Sequence, residues 1–421
     1  MKNLIVLSVC LFSMLFGCSP KTSTQLITGI SDIEMRKQID KKYHCNKNEN
    51  YRPDSLTRMK YIRINVHFMD DSTGTKNFSM ENGKKYMKQL IVNANKRLSD
   101  NKKMNLPVGN NTDNPPINYR YKLVSATDDP SDDGFYKHLD NDLYYFLNKG
   151  RYRNNYNREV IKKYNIGGDS IVNIFVLPHH PDSVKSKTYK PHKTGIALGT
   201  DLKVSGLFEN PKKPWEFATL LNHEIGHILG LSHSWVRNDR CEDTPQHPNC
   251  WDHSSEKCKG AISNNMMDYN NSQMAVTPDQ LAIINKGFNK LLSKNRGLVE
   301  VDWCEKENDL EIVIRDSVQW QGSKDVQRDI RVLDGGVFEV SCRIGMAAGS
   351  KIIVEPGGIL KLNSAYLHNS CGMRWEGIEV ISKGKQTGIV EAYGNFRMEN
   401  VVDDVTSTLE RPVFGSKSNK K

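Results

Sequence analysis

The sequence has no apolar run long enough to cross a bilayer, which takes about 20 residues in a helix. Its longest run, Leu4 to Phe16, is clearly shorter and is interrupted by Ser8 and Ser13. Hydrophobic residues make up 37% of the 421 residues and the mean hydropathy is -0.60, which excludes a polytopic membrane protein. Charged residues reach 26% and apolar clusters recur along the chain, so wholesale disorder is excluded as well.

A strong clustering of charge of one sign is also missing. The 59 basic residues outnumber the 49 acidic residues and give a net charge of +10, but the lysines are scattered among Asn and Asp without forming a stripe. This distribution predicts a solvated basic surface and no nucleic-acid partner. The length allows two or three domains, at roughly 100–200 residues for each.

The amino terminus lacks the usual Ala-x-Ala cleavage signal, because no alanine precedes Ala94. Lys2 and the apolar run nevertheless predict a signal peptide. Residues 15–18, Leu-Phe-Gly-Cys, resemble a bacterial lipoprotein box, which implies that Cys18 is diacylated and becomes the first residue of the mature chain. Two acyl chains would hold the protein at a membrane surface. We expect an exported lipoprotein of the bacterial outer membrane or cell surface; an ordinary cleaved signal and a secreted protein are the alternative.

Cysteine is scarce, with nine in the whole chain, and its distribution agrees with export. Cys10 would leave with the signal peptide and Cys18 would carry lipid, which leaves seven cysteines. Three of them lie close together in one loop, between Cys241 and Cys258, and predict a disulfide in an oxidising compartment. Because seven is an odd number, at least one thiol is expected to stay unpaired.

Alternation of apolar and polar residues predicts strands in the first part of the chain. They cover residues 61–69, 118–124 and 171–177, with a short edge strand at 194–200. Helical spacing predicts helices at 86–98, at 214–228, and from a capping box at Thr277–Gln280 to about Gly297. The polar insertion at 126–168 is expected to contain a helical stretch at 138–147.

Beyond residue 297 a short sequence repeat replaces this pattern. Two Gly-Gly pairs, at 335–336 and 357–358, define the offset of the repeat. The same offset aligns apolar residues in pairs: Ile330 with Ile352, Val332 with Val354, Phe338 with Leu360, and Val340 with Leu362. A strand pair around such a turn cannot bury its own apolar face and must stack on its neighbour. We expect two or three coils of a right-handed parallel β-helix; a β-sandwich with accidental periodicity is the alternative.

The segment HEIGHILGLSH, which begins at His223, is the most specific pattern in the sequence. His223 and His227 are four positions apart on a helix, so both imidazoles lie on one face and suit two positions of a tetrahedral zinc ion. Glu224 is placed to reach a metal-bound water as general base. Gly230 suits a left-handed turn that lets His233 approach as the third ligand. Three protein ligands and a water make an open, catalytic site.

This segment matches the long zinc motif H-E-x-x-H-x-x-G-x-x-H and so resembles the metzincin metalloproteases. Residues 264–269, NNMMDY, resemble the Met-containing turn of those enzymes, with Met267 at a suitable distance after His233. The N-x-M-D-Y form of the turn and the tripeptide Asp-Thr-Pro at 243–245 are most similar to the pappalysin family. The resemblance covers roughly residues 60–295.

The resemblance implies roles for the residues of this turn. Met267 would form an apolar floor beneath the zinc, with Met266 as the alternative because the methionine is doubled. Tyr269 would approach the metal or the oxyanion of the transition state, and simple packing is the alternative for this aromatic side chain. Metzincins pair an extended substrate with an edge strand above the cleft, and residues 194–200 are the candidate for that strand.

A structural calcium ion is a second metal that the resemblance suggests. Glu242, Asp243 and Asn249 are its candidate ligands, and a solvated acidic loop is the alternative. The expected partners are protein or peptide substrates, together with the membrane surface that a lipid anchor on Cys18 would reach.

The predicted fold class is α+β: a metzincin-like catalytic domain, with a mixed twisted sheet and an active-site helix, followed by a small β-helix-like all-β domain. The predicted boundaries are a signal peptide at 1–18, a polar tether or pro-segment at 19–55, a zinc metalloprotease domain at 56–296 and a C-terminal domain at 297–421. The predicted function is that of an exported zinc-dependent endopeptidase with Glu224 as general base. The alternative is a non-catalytic surface protein that binds a glycan or another partner through its C-terminal coils.

Overall fold

The chain divides into two units in the computed structural model. The first unit comprises the described residues of Gly29–Glu305 together with Trp320–Asp325. The second comprises those of Lys306–Gln319 and from Val326 onward, with strand β1 (Thr22–Ser23). The described residues are 22–23, 37–38, 41–43, 45–103, 112–125, 129–190, 193–210, 213–251, 254–270, 273–307, 310–402 and 405–410. Cys18 and the predicted signal peptide lie outside the described residues.

A six-stranded sheet organises the first unit. Its strands are β2 (Lys60–Asp70), β3 (Tyr119–Leu123), β4 (Phe135–Leu139), β5 (Val172–Leu177), β6 (Thr194–Leu198) and β7 (Asp201–Ser205). They follow the order β3-β2-β5-β7-β6, and β4 pairs with the end of β2 that β3 leaves open. All pairings are parallel except that of β6 with β7. The predicted strands are confirmed, including the one at the edge.

Helices pack against the sheet and against one another in the first unit. They are α1 (Met80–Asp100), α2 (Glu159–Tyr164), α3 (Pro181–Lys185), α4 (Ala218–Ile228), α5 (Pro278–Asn289) and α6 (Lys294–Leu298). Short 3-10 turns occupy Asn48–Tyr51, Gly168–Ser170, Pro214–Glu216 and Glu256–Cys258. The apolar stripes of α1, α4 and α5 contribute to a single core.

The two faces of the central sheet differ in polarity, because successive side chains of a strand point to opposite faces. Ile64 and Val66 of β2 are fully buried in the core shared with α1, α4 and α5. Between and after them, Asn65 and His67 are fully buried on the opposite face. There the Nε2 atom of His67 lies 2.9 Å from Oδ1 of Asn173 on the neighbouring strand. The sheet therefore carries one apolar and one partly polar buried surface.

The prediction of a helical stretch at 138–147 is wrong. His138 belongs to strand β4, whose residues pair in register with the end of β2. Asp140 follows the strand, and its Oδ1 atom accepts the backbone N–H groups of Asp142 and Leu143, both at 3.0 Å. This side-chain hydrogen bonding supports a turn at the point where helical spacing suggested continuation.

Capping explains where α5 begins and ends. The predicted capping box is present: Thr277 accepts the N–H of Gln280, whose side chain in turn accepts that of Thr277. The helix stops at Asn289, earlier than predicted, because Lys290 is extended with φ −81° and ψ 123°. A separate short helix, α6, then begins after Ser293, whose side chain accepts the N–H of Asn295.

Part of the segment predicted as a tether is folded onto the first unit. Arg52 forms an ion pair of 2.7 Å with Asp279 in the first turn of α5. Tyr51 is buried, its carbonyl accepts the side-chain amide of Asn285, and its hydroxyl donates to the carbonyl of Cys45 at 2.8 Å. Residues 45–52 therefore contribute to the packing around α5.

The described chain from residue 310 onward consists of short strands in three sheets with parallel long-range pairings. The strands are β8 (Glu311–Ile314), β9 (Ser317–Trp320), β10 (Lys324–Val326), β11 (Asp329–Val332), β12 (Val337–Val340), β13 (Arg343–Met346), β14 (Lys351–Val354), β15 (Ile359–Asn363), β16 (Tyr366–His368), β17 (Gly377–Lys383), β18 (Gln386–Thr387), β19 (Ile389–Tyr393), β20 (Arg397–Glu399) and β21 (Val405–Glu410). The sheet orders are β18-β17-β14-β11-β8, β19-β15-β12-β9 and β1-β20-β16-β13-β10, with β21 beside β17. This region is therefore all-β, as predicted.

The sequence repeat sets the register of these strands. All four predicted apolar pairs face each other: Ile330 with Ile352, Val332 with Val354, Phe338 with Leu360, and Val340 with Leu362. The second glycine of each Gly-Gly pair lies against the preceding coil. A Cβ on Gly336 would lie 2.5 Å from the carbonyl oxygen of Ile314, and one on Gly358 would lie 2.6 Å from that of Val332. Only glycine fits such an approach of two backbones.

Within the described residues, the cysteines match the prediction of a disulfide in the 241–258 loop and of an unpaired thiol. Cys250 and Cys258 form a disulfide, and Cys241 is a free cysteine in the same loop. Cys45, Cys304, Cys342 and Cys371 are also disulfide-bonded. Disulfides of this number are typical of an oxidising compartment. In the part of the chain that the structure describes, no helix combines the length and the apolar character that a membrane span requires.

Candidate active site

Helix α4 and the turn after it bring three imidazoles together. His223 and His227 lie one turn apart on the helix, and the Nε2 atoms of their rings are 3.2 Å apart. Gly230 has a φ of 98°, the left-handed conformation predicted for it, and redirects the chain towards His233. The Nε2 atom of His233 lies 3.1 Å from that of His227. One nitrogen of each ring thus belongs to a group whose ligand atoms all lie within 4.8 Å of one another.

Backbone carbonyls fix the orientation of the two helical imidazoles. Nδ1 of His223 donates to the carbonyl oxygen of Met266 at 2.8 Å, and Nδ1 of His227 donates to that of Leu231 at 2.9 Å. Because a carbonyl can only accept, these nitrogens carry the proton and the Nε2 lone pairs stay available for a metal. Burial, reinforced by the neighbouring imidazole of His227, lowers the pKa of His223 to about 3 and that of His233 to about 4.

The donor set fits zinc. Three neutral imidazoles with one free nitrogen each are a known ligand set of catalytic zinc ions, which keep a fourth position for water or substrate. Within the described residues, the three histidines are the only group of three or more His, Cys, Asp or Glu side chains that could hold a metal ion.

The prediction of a calcium site at Glu242, Asp243 and Asn249 is not supported. Oδ2 of Asp243 accepts the backbone N–H of Asp279 at 2.9 Å, and Oδ2 of Asp279 accepts that of Glu242 at 3.0 Å. Arg52 provides a cation beside the same carboxylate of Asp279. The carboxylates of Asp243 and Asp279 therefore accept backbone N–H groups at the start of α5 and in the adjacent loop.

Two methionines lie below α4: Met267 contacts the helix through its side chain, and Met266 contacts His223 through its backbone carbonyl. Met267 is fully buried, and a Cβ on Gly226 would lie only 2.4 Å from its sulfur. The thioether thus packs directly against the backbone of α4, between the positions of the two helical histidines. Met266 is also buried, and its carbonyl oxygen is the acceptor of His223. Gly226, which the sequence analysis did not single out, makes this close packing possible.

A pair of amides holds this turn in place. Nδ2 of Asn265 donates to Oε1 of Gln280 at 2.9 Å, and Nε2 of Gln280 donates back to Oδ1 of Asn265 at 3.0 Å. Both side chains are buried. Gln280 also completes the capping box of α5, so the cap of one helix is linked to the turn beneath the other. The sequence predicts the capping box but carries no signal for this second contact.

Glu224 is buried between α4 and the edge strand β6. Its Oε2 atom accepts the backbone N–H of Ala197 at 2.9 Å. A Cβ on Gly195 would lie 2.6 Å from Cγ of Glu224 and 2.9 Å from its Oε1 atom, so glycine is needed there to leave room for the carboxylate. Burial raises the pKa of Glu224 to about 7, and the hydrogen bond from Ala197 opposes that rise. Neither Gly195 nor Ala197 was predicted to contact it.

Aromatic rings cover His233 on the open side of the site. The indole of Trp235 stacks on its imidazole, with ring centroids 4.1 Å apart and planes inclined by 11°. The ring of Tyr269 lies 4.8 Å from that of His233 and 4.5 Å from that of Trp235. Tyr269 is 46% exposed, so it lies at the rim and not in the core. The zinc motif does not predict this stacking, because Trp235 lies outside it.

A cavity of about 420 Å³ opens beside these residues. His223, Glu224 and Tyr269 line one side of it, and Lys193, Trp251 and Gln273 are among the residues that line the rest. The candidate general base, one of the histidines and the predicted tyrosine therefore face the same space. A peptide entering this cavity would meet all three.

Comparisons with known proteins relate one segment of the chain to a peptidase family. A peptidase family model, described as pregnancy-associated plasma protein-A, matches residues 205–289. No curated protein sequence matches the chain. Among solved structures, mature mirolysin of Tannerella forsythia in complex with a cleaved peptide is 19% identical, with a TM-score of 0.39 over 58% of this chain and 96% of that one. A promirolysin mutant of the same organism is 18% identical, with a TM-score of 0.41 over 63% and 90%.

The matched segment contains all three histidines, Glu224 and the turn at Met267. Its boundaries fall at the end of β7 and the end of α5, and all three histidines lie between these two elements. Residues 205–289 are thus similar to the pappalysin-like peptidases of the metzincin type, and this match supports a metalloendopeptidase.

Proposed function

We propose that the protein hydrolyses internal peptide bonds with a zinc ion held by His223, His227 and His233 and with Glu224 as general base. The observation that carries this proposal is the convergence of three Nε2 atoms, one of them on His223, which lines the same cavity as the buried carboxylate of Glu224. A zinc ion bound there would polarise the scissile carbonyl and lower the pKa of a water ligand to about 7.

Glu224 has the surroundings that a proton shuttle needs. Burial favours its protonated form, while the N–H of Ala197 stabilises the carboxylate, so both states are accessible to this group. In the proposed reaction the carboxylate accepts a proton from the attacking water and then donates it to the leaving amine. The hydrogen bond to Ala197 holds one oxygen and leaves the other to carry the proton.

Tyr269 and Met267 have supporting roles in the proposal. Tyr269 lies at the rim of the cavity beside His233, where a hydroxyl donor would stabilise the negative charge that develops on the carbonyl oxygen. Met267 is the apolar floor, because its thioether packs against Gly226 under the histidines. An extended substrate is proposed to pair with β6, the strand at the edge of the sheet that also contacts Glu224.

Hydrolysis of casein by the purified chain tests this function. We expect cleavage that phenanthroline abolishes and that added zinc restores, since the metal is required. Glu224→Ala should retain the zinc, measured by metal analysis, and lose activity by a factor of about 10²–10⁴. Glu81→Ala, which removes an exposed carboxylate at the start of α1, is the matched control and should behave as wild type. Activity that survives chelation, or that persists in Glu224→Ala, would overturn the proposal.

We also propose export and a lipid tether at Cys18. The support is the lipoprotein-like box at 15–18 together with the disulfides of the folded chain, which are typical of an oxidising compartment. Mass analysis of the mature amino terminus tests this: a diacylated Cys18 is expected, and an unmodified amino terminus elsewhere would contradict it.

The second unit is proposed to be a short right-handed parallel β-helix. Its support is the parallel register of β8, β11, β14 and β17, in which each coil places an apolar residue on the next. In this proposal the coils have an accessory role beside the peptidase. Hydrolysis lost when the coils are selectively unfolded would contradict it.

A further inference from the structure

A second cavity, of about 250 Å³, lies at the C-terminal end of α1. Lys96, Arg97 and Lys102 supply three basic groups to its lining, and Trp215 and Met274 supply an apolar wall. Asp100 is the acidic residue among the lining residues. None of these side chains has a part in the proposed hydrolysis.

The second cavity adjoins the cleft beside the histidines at two points. Trp215 is followed directly by Glu216, and Met274 follows directly on Gln273; Glu216 and Gln273 both line the cleft. The two spaces thus share a partition made of two short backbone segments. A peptide that lies in the cleft and continues past this partition would reach the basic cavity.

Two basic side chains contact Trp215, one through its backbone and one through its ring. Nη2 of Arg97 donates to the backbone carbonyl oxygen of Trp215 at 3.3 Å. The ammonium group of Lys213 lies 4.9 Å from the centroid of the same indole. Lys96 and Lys102 are exposed. With Asp100 as the single acidic lining residue, the local charge is positive.

We propose that this cavity is an exosite that binds an acidic side chain of the peptide substrate, several residues away from the scissile bond. A carboxylate placed there would form charge-assisted hydrogen bonds with the lysines, while its methylene groups pack on Trp215 and Met274. This inference rests on the proposed peptidase function, because it concerns which peptides the same cleft would cleave: those with an acidic residue at a distance from the scissile bond.

Matched quenched peptides test the exosite. Each peptide carries one fixed cleavage sequence and a distal pair of residues, either Glu-Glu or Gln-Gln, placed on one or the other side of the scissile bond. We expect kcat/KM to be about tenfold higher for one of the Glu-Glu peptides than for its Gln-Gln partner at low salt. That ratio should fall towards one at an ionic strength of about 0.5 M, where exposed charges are screened.

Charge reversal in the cavity should remove the preference. In the double variant Lys96→Glu, Lys102→Glu, the Glu-Glu peptide should lose its advantage, while hydrolysis of the Gln-Gln peptide stays unchanged. Lys85→Glu is the matched control, since it reverses an exposed lysine of the same helix about 16 Å away along the axis. Equal rates for Glu-Glu and Gln-Gln peptides in the wild type would overturn the exosite, as would a preference that the double variant retains.

Binding to the Glu224→Ala chain separates this inference from the proposed function. Fluorescence polarisation of the labelled Glu-Glu peptide should show binding that the two lysine substitutions weaken. If no peptide is hydrolysed but this binding persists, the peptidase proposal fails, and the cavity is a binding site for acidic peptides and not a substrate exosite. If peptides are hydrolysed without a charge preference, the exosite fails alone. Inorganic phosphate that competes as well as the peptide would indicate a general anion site and would overturn the assignment to substrate.

Discussion

The two units bury polar and apolar side chains in contrasting ways. In the first unit, buried polar groups have individual partners, as in the mutual amide bonds of Asn265 and Gln280 or the contact of His67 with Asn173. In the strand ladders of the second unit, such as that of Ile330 and Ile352, the same kind of apolar residue is stacked coil after coil. In the first arrangement each polar side chain has its own specific partner. In the second, the same apolar contact is repeated from coil to coil.

This difference separates catalysis from stability. An active site needs individual side chains whose function no other residue can replace. A single substitution there should therefore remove activity while the fold survives. A stacked coil derives its stability from each apolar contact, so a single substitution should weaken the fold and leave the chemistry intact. The following substitutions test this separation.

The largest expected effect on stability is that of Ile352→Ala. Ile352 is fully buried in β14, in register with Ile330 on one side and Ile378 on the other. Its truncation should lower the free energy of unfolding of the second unit by about 3 kcal/mol, because a cavity is left in the stack. Denaturant titration with a probe in the second unit measures this change.

Casein hydrolysis by Ile352→Ala should match the wild type under native conditions. Val313→Ala serves as the control, because Val313 belongs to β8 but is 40% exposed, and its removal should have little effect on stability. A parallel loss of hydrolysis and stability in Ile352→Ala would break the comparison.

Gly195→Ala should have a smaller effect, and on activity alone. Its added methyl group would meet Cγ and Oε1 of Glu224, so the carboxylate must shift while the strand is retained. A displacement of this kind should lower kcat by about tenfold with little change in KM or in zinc content. In the Glu224→Ala background the same substitution should cost nothing further, since the clash is gone. A comparable loss in both backgrounds would show that Gly195 acts on the fold and not on Glu224.

Glu311→Gln should have the smallest effect. A hydrogen bond from Arg331 lowers the pKa of Glu311, so the carboxylate contributes stability above its unfolded pKa of about 4.5 and loses that contribution as the pH falls through its folded value. Because the pair is partly exposed, the difference in unfolding free energy from wild type should be only about 0.5 kcal/mol near pH 7. The difference should vanish in acid. Glu376→Gln, an exposed carboxylate of the same unit, is the control, and a constant difference across the pH range would contradict the assignment.

Local pattern was sufficient for most strands and for the histidine triad. Alternation identified the strands of the central sheet, and the spacing of His223, His227 and His233 depends on one helix and one turn. The constant offset between the Gly-Gly pairs predicted the register of the coils, because identical spacing is enough to align stacked strands. In each case the interacting residues are close in sequence or are related by a fixed period.

The remaining features depend on contacts between segments that are distant in sequence. The approach of Gly195 to Glu224 arises where an edge strand meets a helix, and neither segment carries a signal for the other. The bond between Asn265 and Gln280 is hidden for the same reason. The incorrect prediction of a helix at 138–147 had a different cause. The spacing of apolar residues takes no account of the side chain of Asp140, which stabilises a turn by accepting two backbone N–H groups.

The packing of residues 45–52 on α5 sets a limit on how far the chain can be shortened. Arg52 forms an ion pair with Asp279, and the next residue, Gln280, hydrogen-bonds to Asn265 in the turn beneath the three histidines. A maturation cut or an expression boundary placed downstream of Arg52 would remove these contacts and should loosen the turn indirectly. Trimmed versions intended for crystallisation or zymography should therefore begin upstream of Cys45.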